Sequence, residues 1–324
     1  MRTLLHGLLA ASLTLGALSA TAADAPEPLA LTYIRSNADY WDLNVAVDKG
    51  FLAEEGFKPE YVANSSSVQS TQLLLTQSVQ LAVAQPESLV AVIARGSKDL
   101  AAIAAPMRRV DWVLVGQKGM KAVTELKGKT VGFSGLRVAE FYLTQDAMAK
   151  QGTPAGSFDG IQIGTSVAKY AALTNGSVAA AVLFEPTASQ AVQAGFSKLY
   201  ELGNHEGYIP AMYIVKKSWA STQNHGMRLA RALERAHAWL YDPKNKAEAI
   251  AILKKHSQST DAAIEDVYNR FFVTHAWYTK AGEIETDAIK IAIQTLLANK
   301  EITQAQVPAM QDVILLATLG GRTR

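Results

Sequence analysis

Two stretches decide how this chain folds: residues 75–86, LTQSVQLAVAQP, and residues 173–186, LTNGSVAAAVLFEP. Each reads as a turn, an apolar strand and then a proline. Proline suits the first position of a helix, because its missing N–H would have had no partner there. We interpret the two stretches as one strand-to-helix unit used twice, which predicts two lobes built on a single plan. Chance similarity between Ala- and Val-rich segments is the competing interpretation.

Strands and helices alternate around these two units. The predicted strands are residues 29–34, 57–63, 79–84, 112–115, 130–133, 160–163, 179–184 and 211–215. Helical connections between such strands imply right-handed crossovers and mostly parallel sheets. Beyond residue 215 the pattern is almost wholly helical, with predicted helices at 224–241, 246–256, 261–274, 286–299 and 303–317.

The predicted fold class is therefore α/β, with two lobes that each hold a mostly parallel sheet flanked by helices. The strand-rich beginning lacks enough helical cover by itself, so we place the helical tail back on the first lobe. This predicts a first lobe of residues 26–105 plus 210–318 and a second lobe of residues 106–209. The chain crosses between the lobes twice, and the two crossovers form a hinge.

Composition and charge exclude several classes of protein. The 324 residues are 49% hydrophobic and 19% charged, which excludes a disordered or collagen-like chain. Lys and Arg number 31 against 29 acidic residues, so no global charge attracts nucleic acid or acidic lipid. The sequence has no Cys, which excludes disulfide scaffolds, thiolate zinc sites, cysteine nucleophiles and a lipid-modified N-terminal cysteine.

Residues 1–22 are predicted to be a secretory signal peptide. Met1-Arg2 is a short positive start, residues 4–20 are rich in Leu and Ala, and Ala20-Thr21-Ala22 offers small residues for cleavage. A buried N-terminal helix and a membrane anchor are the alternatives, and the apolar stretch is short for an anchor. We expect the mature protein to be exported to a bacterial periplasm without a lipid anchor.

Polar residues follow the predicted strands at the positions where helices begin. Ligands of open α/β sheets bind beyond the carboxyl ends of the strands, and the free N–H groups of a helix start favour an anion. The predicted ligand-binding residues are Arg35, Ser36, Asn37, Asp39, Tyr40, Ser65, Ser66, Ser67, Gln85, Ser134, Gly135, Arg137, Glu185 and Tyr208. An ordinary helix N-cap is the competing interpretation for each Ser and Asn.

Arg35 and Arg137 set the first expectation for the ligand class, since each predicted lobe carries one of them. A guanidinium group binds a carboxylate, sulfonate or phosphate through two hydrogen bonds, which predicts a small anionic organic ligand. A solvated charge or a salt bridge between the lobes is the alternative for both. Tyr40, Trp41 and Trp112 could instead stack on a ring, so a neutral heterocycle such as a pyrimidine is the second ligand class.

Three motifs resemble those of solute-binding proteins for nitrate, sulfonate, taurine and thiamine-precursor transport. They are residues 48–57, DKGFLAEEGF, residues 126–132, LKGKTVG, and the run of residues 172–186 that ends in Glu-Pro. The sequence departs from the family pattern at Ser78 and Gln80, where Gly and Asp are usual, and at Ala179, where Asp is common.

The resemblance implies a type II periplasmic-binding-protein fold and a protein that hands its ligand to the permease and ATPase of an ABC importer at the inner membrane. It places the family's cleft positions at residues 35–39, 65–68, 85, 134–137 and 185. It also implies that the lobes swing about crossovers near residues 105 and 210, with the ligand stabilising the closed state. We expect a monomer with no cofactor, metal or catalytic residue.

Two other functions fit the same fold. An enzyme acting on a pyrimidine or chorismate-like compound would need a positioned acid, base or nucleophile. None of the six histidines lies at a predicted strand-to-helix junction, which counts against this alternative. A sensory binding protein that presents its ligand state to a membrane receptor is the other alternative.

Overall fold

The two quoted stretches supply the middle strands of two five-stranded sheets in the computed structural model of this chain, which describes residues 25–136, 138–154, 156–204 and 207–315. The predicted signal peptide and Arg137 lie outside the described residues. The strands are β1 (Glu27–Thr32), β2 (Phe57–Tyr61), β3 (Leu81–Ala84), β4 (Leu100–Ala104), β5 (Val113–Gly116), β6 (Thr130–Phe133), β7 (Asp159–Gln162), β8 (Ala180–Leu183), β9 (Ser197–Glu201) and β10 (Met212–Lys216).

Both sheets have the same topology. The first runs in the order β2-β1-β3-β10-β4 and the second in the order β7-β6-β8-β5-β9. In each sheet the first three strands are parallel, and the fourth is antiparallel to both of its neighbours. The antiparallel strand is the one that the chain enters from the other sheet. The predicted two-lobed α/β class is therefore confirmed.

Most helices lie close to the positions predicted from the sequence. They are α1 (Trp41–Asp48), α2 (Phe51–Glu54), α3 (Ser67–Leu75), α4 (Pro86–Ala94), α5 (Ala139–Lys150), α6 (Ser166–Thr174), α7 (Thr187–Gln193), α8 (Lys217–Ser221), α9 (His225–Tyr241), α10 (Lys246–His256), α11 (Asp261–Tyr268), α12 (Thr286–Ala298) and α13 (Met310–Val313). Pro86 occupies the first turn of α4, as the sequence predicts, whereas Pro186 lies one residue before α7, which begins at Thr187.

One predicted tail helix has the predicted bounds but changes type along its length, and a second is much shorter than predicted. The helix predicted at 261–274 ends as an α-helix at Tyr268 and continues as a wider π turn over Asn269–Thr274. The helix predicted at 303–317 is only a 3-10 turn at Gln304–Gln306 and the short α13. Pro308 explains the second difference, because proline donates no backbone hydrogen bond and disfavours helix at the residue before it.

The helical tail packs on both faces of the first sheet. Leu31 of β1 is buried in one core with Leu233 of α9 and Leu253 of α10. Ala82 of β3 is buried on the opposite face with Ile289 of α12. Each fully buried leucine contributes roughly 2 kcal/mol of transfer free energy, so this cover is what makes the strand-rich beginning stable. The lobe boundaries near residues 105 and 210 remain a prediction.

The predicted internal repeat has an atomic counterpart in both lobes. Ser67 at the start of α3 accepts a hydrogen bond at Oγ from the Gln85 N–H (3.1 Å), and Ser166 at the start of α6 accepts one from the Phe184 N–H (3.0 Å). Both serines thereby tie the start of one helix to the end of the next strand.

The repeat also corrects one assignment. The turn before β3 has its left-handed residue at Gln77 (φ 61°), and the turn before β8 has it at Gly176 (φ 78°). The residue that replaces the usual glycine in the first lobe is therefore Gln77, and the assignment to Ser78 was off by one position. Among the residues that the structure describes, none lies in a helix long and apolar enough to cross a membrane.

Candidate ligand-binding site

The two lobes contact each other along the carboxyl ends of their strands, and we call this surface the interlobe cleft. Its first-lobe side is the loop Asn37–Tyr40 and Gln85, and its second-lobe side is Trp112, the start of α5 and Glu185. The Ala38 N–H donates to the Glu185 carbonyl oxygen (2.7 Å), and the Ala139 N–H donates to Gln85 Oε1 (2.8 Å). Four predicted site residues, Asn37, Asp39, Gln85 and Glu185, thus meet there.

Asn37 and Asp39 hold buried polar atoms that have no partner among the described residues. The side chain of Asn37 is 1% exposed, and neither its Nδ2 nor its Oδ1 is hydrogen-bonded. Asp39 is fully buried, with Oδ2 accepting from the Trp112 Nε1–H (2.9 Å) and Oδ1 without a partner. Leaving a buried polar group unpaired costs about 1–3 kcal/mol, so these atoms are the natural contacts for a ligand.

Asn37 does not serve its own helix. It precedes the short 3-10 turn Ala38–Tyr40, but its side chain makes no capping hydrogen bond there. Ser66 differs, because its Oγ accepts from the Gln69 N–H and caps α3. The N-cap interpretation is therefore correct for Ser66 and does not account for Asn37.

Burial controls the charge state of Asp39. Its pKa is raised to about 7, mainly by desolvation and to a smaller extent by the Glu185 carboxylate. The hydrogen bond from Trp112 and the charge of Lys169 oppose this rise. The phenol of Tyr40 is also buried, and its pKa is raised by burial and by the Asp39 and Glu140 carboxylates. Near neutral pH, Asp39 can therefore either donate or accept a hydrogen bond.

A buried ion pair lies beneath the second-lobe side of the cleft. The Lys169 Nζ donates to Glu140 Oε2 (3.0 Å), and both side chains are fully buried. Glu140 Oε1 also accepts from the N–H and the hydroxyl of Ser134, so the loop after β6 is tied to the first turn of α5. Burial lowers the pKa of Lys169 overall, although Glu140 opposes that shift.

Lys169 also faces an aromatic stack that reaches Asp39. Its Nζ lies 4.4 Å from the centre of the Phe184 ring, and that ring stacks on Trp112 at 4.7 Å with an angle of 21°. Trp112 in turn donates to Asp39. The stack supports the donor that orients Asp39, and Trp112 serves this purpose in place of the predicted stacking on a ligand.

The sequence-based prediction missed Glu140 and Lys169, since both lie inside helices. One signal was available for Lys169: it shares the buried side of α6 with Ser166 and Leu173, at spacings of three and four residues. A lysine on a buried helix face requires a partner, because an isolated ammonium group is expensive to remove from water.

Glu185 is satisfied by protein groups. Its carboxylate accepts from the Arg270 Nη2–H (2.9 Å) and from the Ser189 N–H (2.9 Å). Its side chain therefore points toward the tail, and only its backbone carbonyl contacts the loop of the first lobe. Arg270 is thus a third residue of this region, after Glu140 and Lys169, that was not predicted from the sequence.

The structure places the remaining predicted residues in different surroundings. Arg35 Nη2 lies 2.9 Å from His256 Nε2, and its guanidinium lies 5.1 Å from the centre of the Tyr61 ring. The Tyr208 hydroxyl lies 2.8 Å from Thr295 Oγ1. Both side chains have partners other than Asn37 and Asp39, although Arg35 Nε is buried without a hydrogen-bond partner among the described residues. Arg137 lies outside the described residues, so its predicted role stays a prediction.

Three of the predicted serines, Ser65, Ser67 and Ser134, have hydrogen-bond partners within the protein. Ser65 donates to Gln69 Oε1 and lies at the rim of the cleft, where a Cβ on Gly164 would come within 3.1 Å of its own Cβ. Ser67 accepts from Gln85, and Ser134 donates to Glu140. Ser36 is partly exposed and Gly135 is buried.

Trp41 and His237 are buried in the first lobe. Trp41 is fully buried and donates to the Ala249 carbonyl oxygen (2.9 Å), so it cannot stack on a ligand. His237 Nε2 lies 2.7 Å from Asp42 Oδ2, with both side chains fully buried. Among the described residues, His, Asp and Glu form no group of three or more that could hold a metal ion.

Comparison with known proteins yields one family and a consistent fold. A family model described as NMT1/THI5 like matches residues 37–247, about two thirds of the chain. YtlA of Bacillus subtilis (strain 168), whose name describes it as a binding protein, is 25% identical over 252 residues, which is 74% of this chain and 73% of YtlA.

Solved structures with the same architecture include binding proteins and an enzyme. The alkanesulfonate-binding protein SsuA from Xanthomonas axonopodis pv. citri, bound to MOPS, has a TM-score of 0.71 and 19% identity over 93% of this chain and 100% of its own. The periplasmic nitrate-binding protein NrtA from Synechocystis PCC 6803 has a TM-score of 0.75 and 14% identity over 89% of this chain and 86% of its own. The desulfurization enzyme DszB has a TM-score of 0.63 and 14% identity over 89% of this chain and 96% of its own. At these identities the likeness shows the fold alone.

Proposed function

The chain belongs to the NMT1/THI5-like family, and from that premise we propose that it is a substrate-binding protein. It closes two lobes around one small organic molecule and releases that molecule unaltered. The observation that carries this proposal is the pair formed by Asn37 and Asp39, whose buried polar atoms lie unpaired where the lobes meet. A ligand that pairs them gains hydrogen bonds in a site that excludes water.

The charges of the cleft favour a neutral ligand with hydrogen-bond donors. Among the described residues of the cleft, Lys169 is paired with Glu140, and Arg270 is paired with Glu185. An anionic ligand would depend on Arg137, which lies outside the described residues, or on Arg35, whose guanidinium contacts His256 and the Tyr61 ring and has no carboxylate partner among the described residues. The Asn37 amide and the Asp39 carboxyl offer donors and acceptors side by side, as a neutral heterocycle with N–H groups requires. We therefore place the neutral class ahead of the anionic class.

We further propose export and delivery to an ABC importer. The signal-like residues 1–22 support export, and the likeness to a periplasmic nitrate-binding protein supports a place in the periplasm. The permease and ATPase of such an importer are the proposed partners, with the protein acting as a monomer that bends near residues 105 and 210. The likeness to DszB keeps an enzyme on this fold as the alternative.

A thermal-shift screen of the mature protein across sulfonates, carboxylates, nitrate and pyrimidines tests this proposal. A compound that binds the folded state raises the melting temperature as its concentration increases. For the best compound, Asn37→Ala and Asp39→Asn should each weaken the affinity measured by calorimetry by roughly tenfold or more, because each removes or alters one buried hydrogen-bonding group.

The matched controls are Asn299→Ala and Asp287→Asn, which change exposed side chains of the same types. They should leave the affinity unchanged. Binding that is equally strong in all four variants would contradict the site, and a pyrimidine or sulfonate that is consumed during the measurement would favour the enzyme.

A further inference from the structure

Arg270 joins the helical tail to the second lobe. It lies in the π turn after α11, in the part of the chain that packs on the first sheet. Its Nη2–H groups donate to Glu185 Oε1 (2.9 Å) and to Ser189 Oγ (3.1 Å), and its Nη1–H donates to Asp111 Oδ2. Its Nε–H donates to Asp266 Oδ2 (3.0 Å) on the tail itself.

The acceptors come from three elements on the second-lobe side. Asp111 lies on the first crossover just before β5, Glu185 follows β8, and Ser189 is in α7. The side chains of Asp111 and Glu185 are 13% and 3% exposed, while that of Arg270 is 27% exposed. These ion pairs are therefore largely desolvated, and they are stronger than pairs on an open surface.

Removing the guanidinium would leave two buried carboxylates close together. Burial and the neighbouring Glu185 carboxylate raise the pKa of Asp111 to about 7, and Arg270 opposes both effects. A carboxylate whose cation is removed keeps its desolvation cost and loses the compensating attraction. Moving the lobes apart is the direct way for Asp111 and Glu185 to regain water.

We propose that Arg270 is a latch between the lobes: it holds the second lobe against the tail and sets how far the ligand-free protein is closed. It does so without contacting the ligand, so it is a positioning residue. Its effect on ligand affinity rests on the proposed function, because apparent affinity scales with the fraction of molecules in the binding-competent form. Its effect on closure of the ligand-free protein does not depend on the proposed function.

The test measures closure directly in the ligand-free protein. The sequence has no Cys, so cysteines introduced at exposed Gln72 of α3 and exposed Gln162 of β7 would be the only sites for spin labels. Double electron–electron resonance then gives the distribution of distances between the two spin labels, one on each lobe. In Arg270→Gln we expect longer distances and a ratio of open to closed molecules raised about tenfold.

Arg231→Gln is the matched control, since Arg231 pairs with Glu55 within the first lobe and is half exposed. It should leave the distance distribution unchanged, and Arg270→Lys should restore part of the closed population. If Arg270→Gln does not fold, Asp111→Asn removes one acceptor of the latch and should open the lobes in the same direction. A distance distribution that is the same in Arg270→Gln, or in Asp111→Asn, as in the control would overturn the latch, whatever the ligand screen finds.

Discussion

Glu87 shows how a single buried group makes stability depend on pH. It lies in the first turn of α4, is 1% exposed, and has no hydrogen-bond partner at Oε2 among the described residues. Burial raises its pKa from 4.5 to about 7, although the nearby backbone N–H opposes the rise. The folded protein therefore binds a proton here that the unfolded chain releases at much lower pH.

The sign of the effect follows from that raised pKa. The contribution of Glu87 to stability is fully present below pH 4.5 and is lost as the pH rises through about 7. Glu87→Gln should have nearly wild-type stability at pH 5 and should be more stable than wild type by roughly 2–3 kcal/mol at pH 8. Denaturant unfolding at both pH values measures the difference.

Glu248→Gln is the control for this prediction, because Glu248 is half exposed in a surface ion pair. It should change stability by less than about 1 kcal/mol at either pH. If the free energy of unfolding of Glu87→Gln differs from that of wild type by the same amount at pH 5 and pH 8, the Glu87 carboxyl does not titrate with a raised pKa.

Single residues were the hardest feature to predict from the sequence. Arg35 and Asn37 lie two positions apart in one loop, yet the Arg35 guanidinium contacts His256 while the Asn37 amide has no partner among the described residues. The direction of a loop side chain depends on partners far away along the chain. Asp39 is one example, because its partner Trp112 lies 73 residues later.

At the scale of elements, the repeated turn offers a direct comparison between the lobes. Gln77 and Gly176 occupy the same left-handed position, at φ 61° and φ 78°. A left-handed conformation costs a residue with a side chain roughly 1–2 kcal/mol, while glycine adopts it freely but loses more entropy on folding. The first lobe therefore carries backbone strain that the second lobe avoids.

Gln77→Gly should raise the free energy of unfolding by about 0.5 kcal/mol, and Gly176→Ala should lower it by about 1 kcal/mol. No atom lies within 4 Å of a Cβ on Gly176, so the second effect would come from the backbone alone. Gln72→Gly within α3 is the control and should destabilise by about 1 kcal/mol. A loss of stability in Gln77→Gly equal to that of the control would refute the strain at Gln77.

Strands and helices were predicted well wherever apolar periodicity and turn residues agree. The strand β6 and the helix α10 have the predicted ends, Thr130–Phe133 and Lys246–His256. The strands β4 and β9 were missed. β4 is the alanine-rich LAAIA, and β9 is the polar edge strand SKLYE, so neither has a pattern that separates a strand from its surroundings.

At the scale of the whole molecule, the two lobes also meet at the rim of the cleft. Gly164 follows β7 and lies against Ser65, which precedes α3 in the other lobe. Its φ is +105°, and a Cβ there would lie 3.1 Å from the Ser65 Cβ. A side chain at this position would therefore press on Ser65, which must shift by a few tenths of an ångström for the lobes to close as far.

Gly164→Ala should shift the ligand-free protein toward more open forms, seen as longer distances between the same pair of spin labels. Gly152→Ala is the control, because Gly152 has φ +77° and no atom within 4 Å of a Cβ, so it bears a backbone cost without a contact between the lobes. Ser65→Gly combined with Gly164→Ala should restore closure. Equal distributions in Gly164→Ala and Gly152→Ala would mean that the rim contact does not limit closure.

The fold class was predictable at this scale, because the repeat of a turn, an apolar strand and a proline already implies two similar sheets. The contacts between the lobes were not. They depend on pairs such as Ala38 with Glu185 and Gln85 with Ala139, which are 147 and 54 residues apart and share no local pattern. Which face of each loop forms the cleft is decided only when both lobes are folded.

Native mass spectrometry of the mature protein, incubated with the compound that gives the largest thermal shift, tests the central claim most directly. We predict a complex with one molecule of that compound, which is recovered chemically unchanged when the protein is denatured. The complex should be lost in the Asn37→Ala and Asp39→Asn variants. Recovery of a compound with a different mass, or equal retention in both variants, would contradict a binding protein that holds its ligand at Asn37 and Asp39.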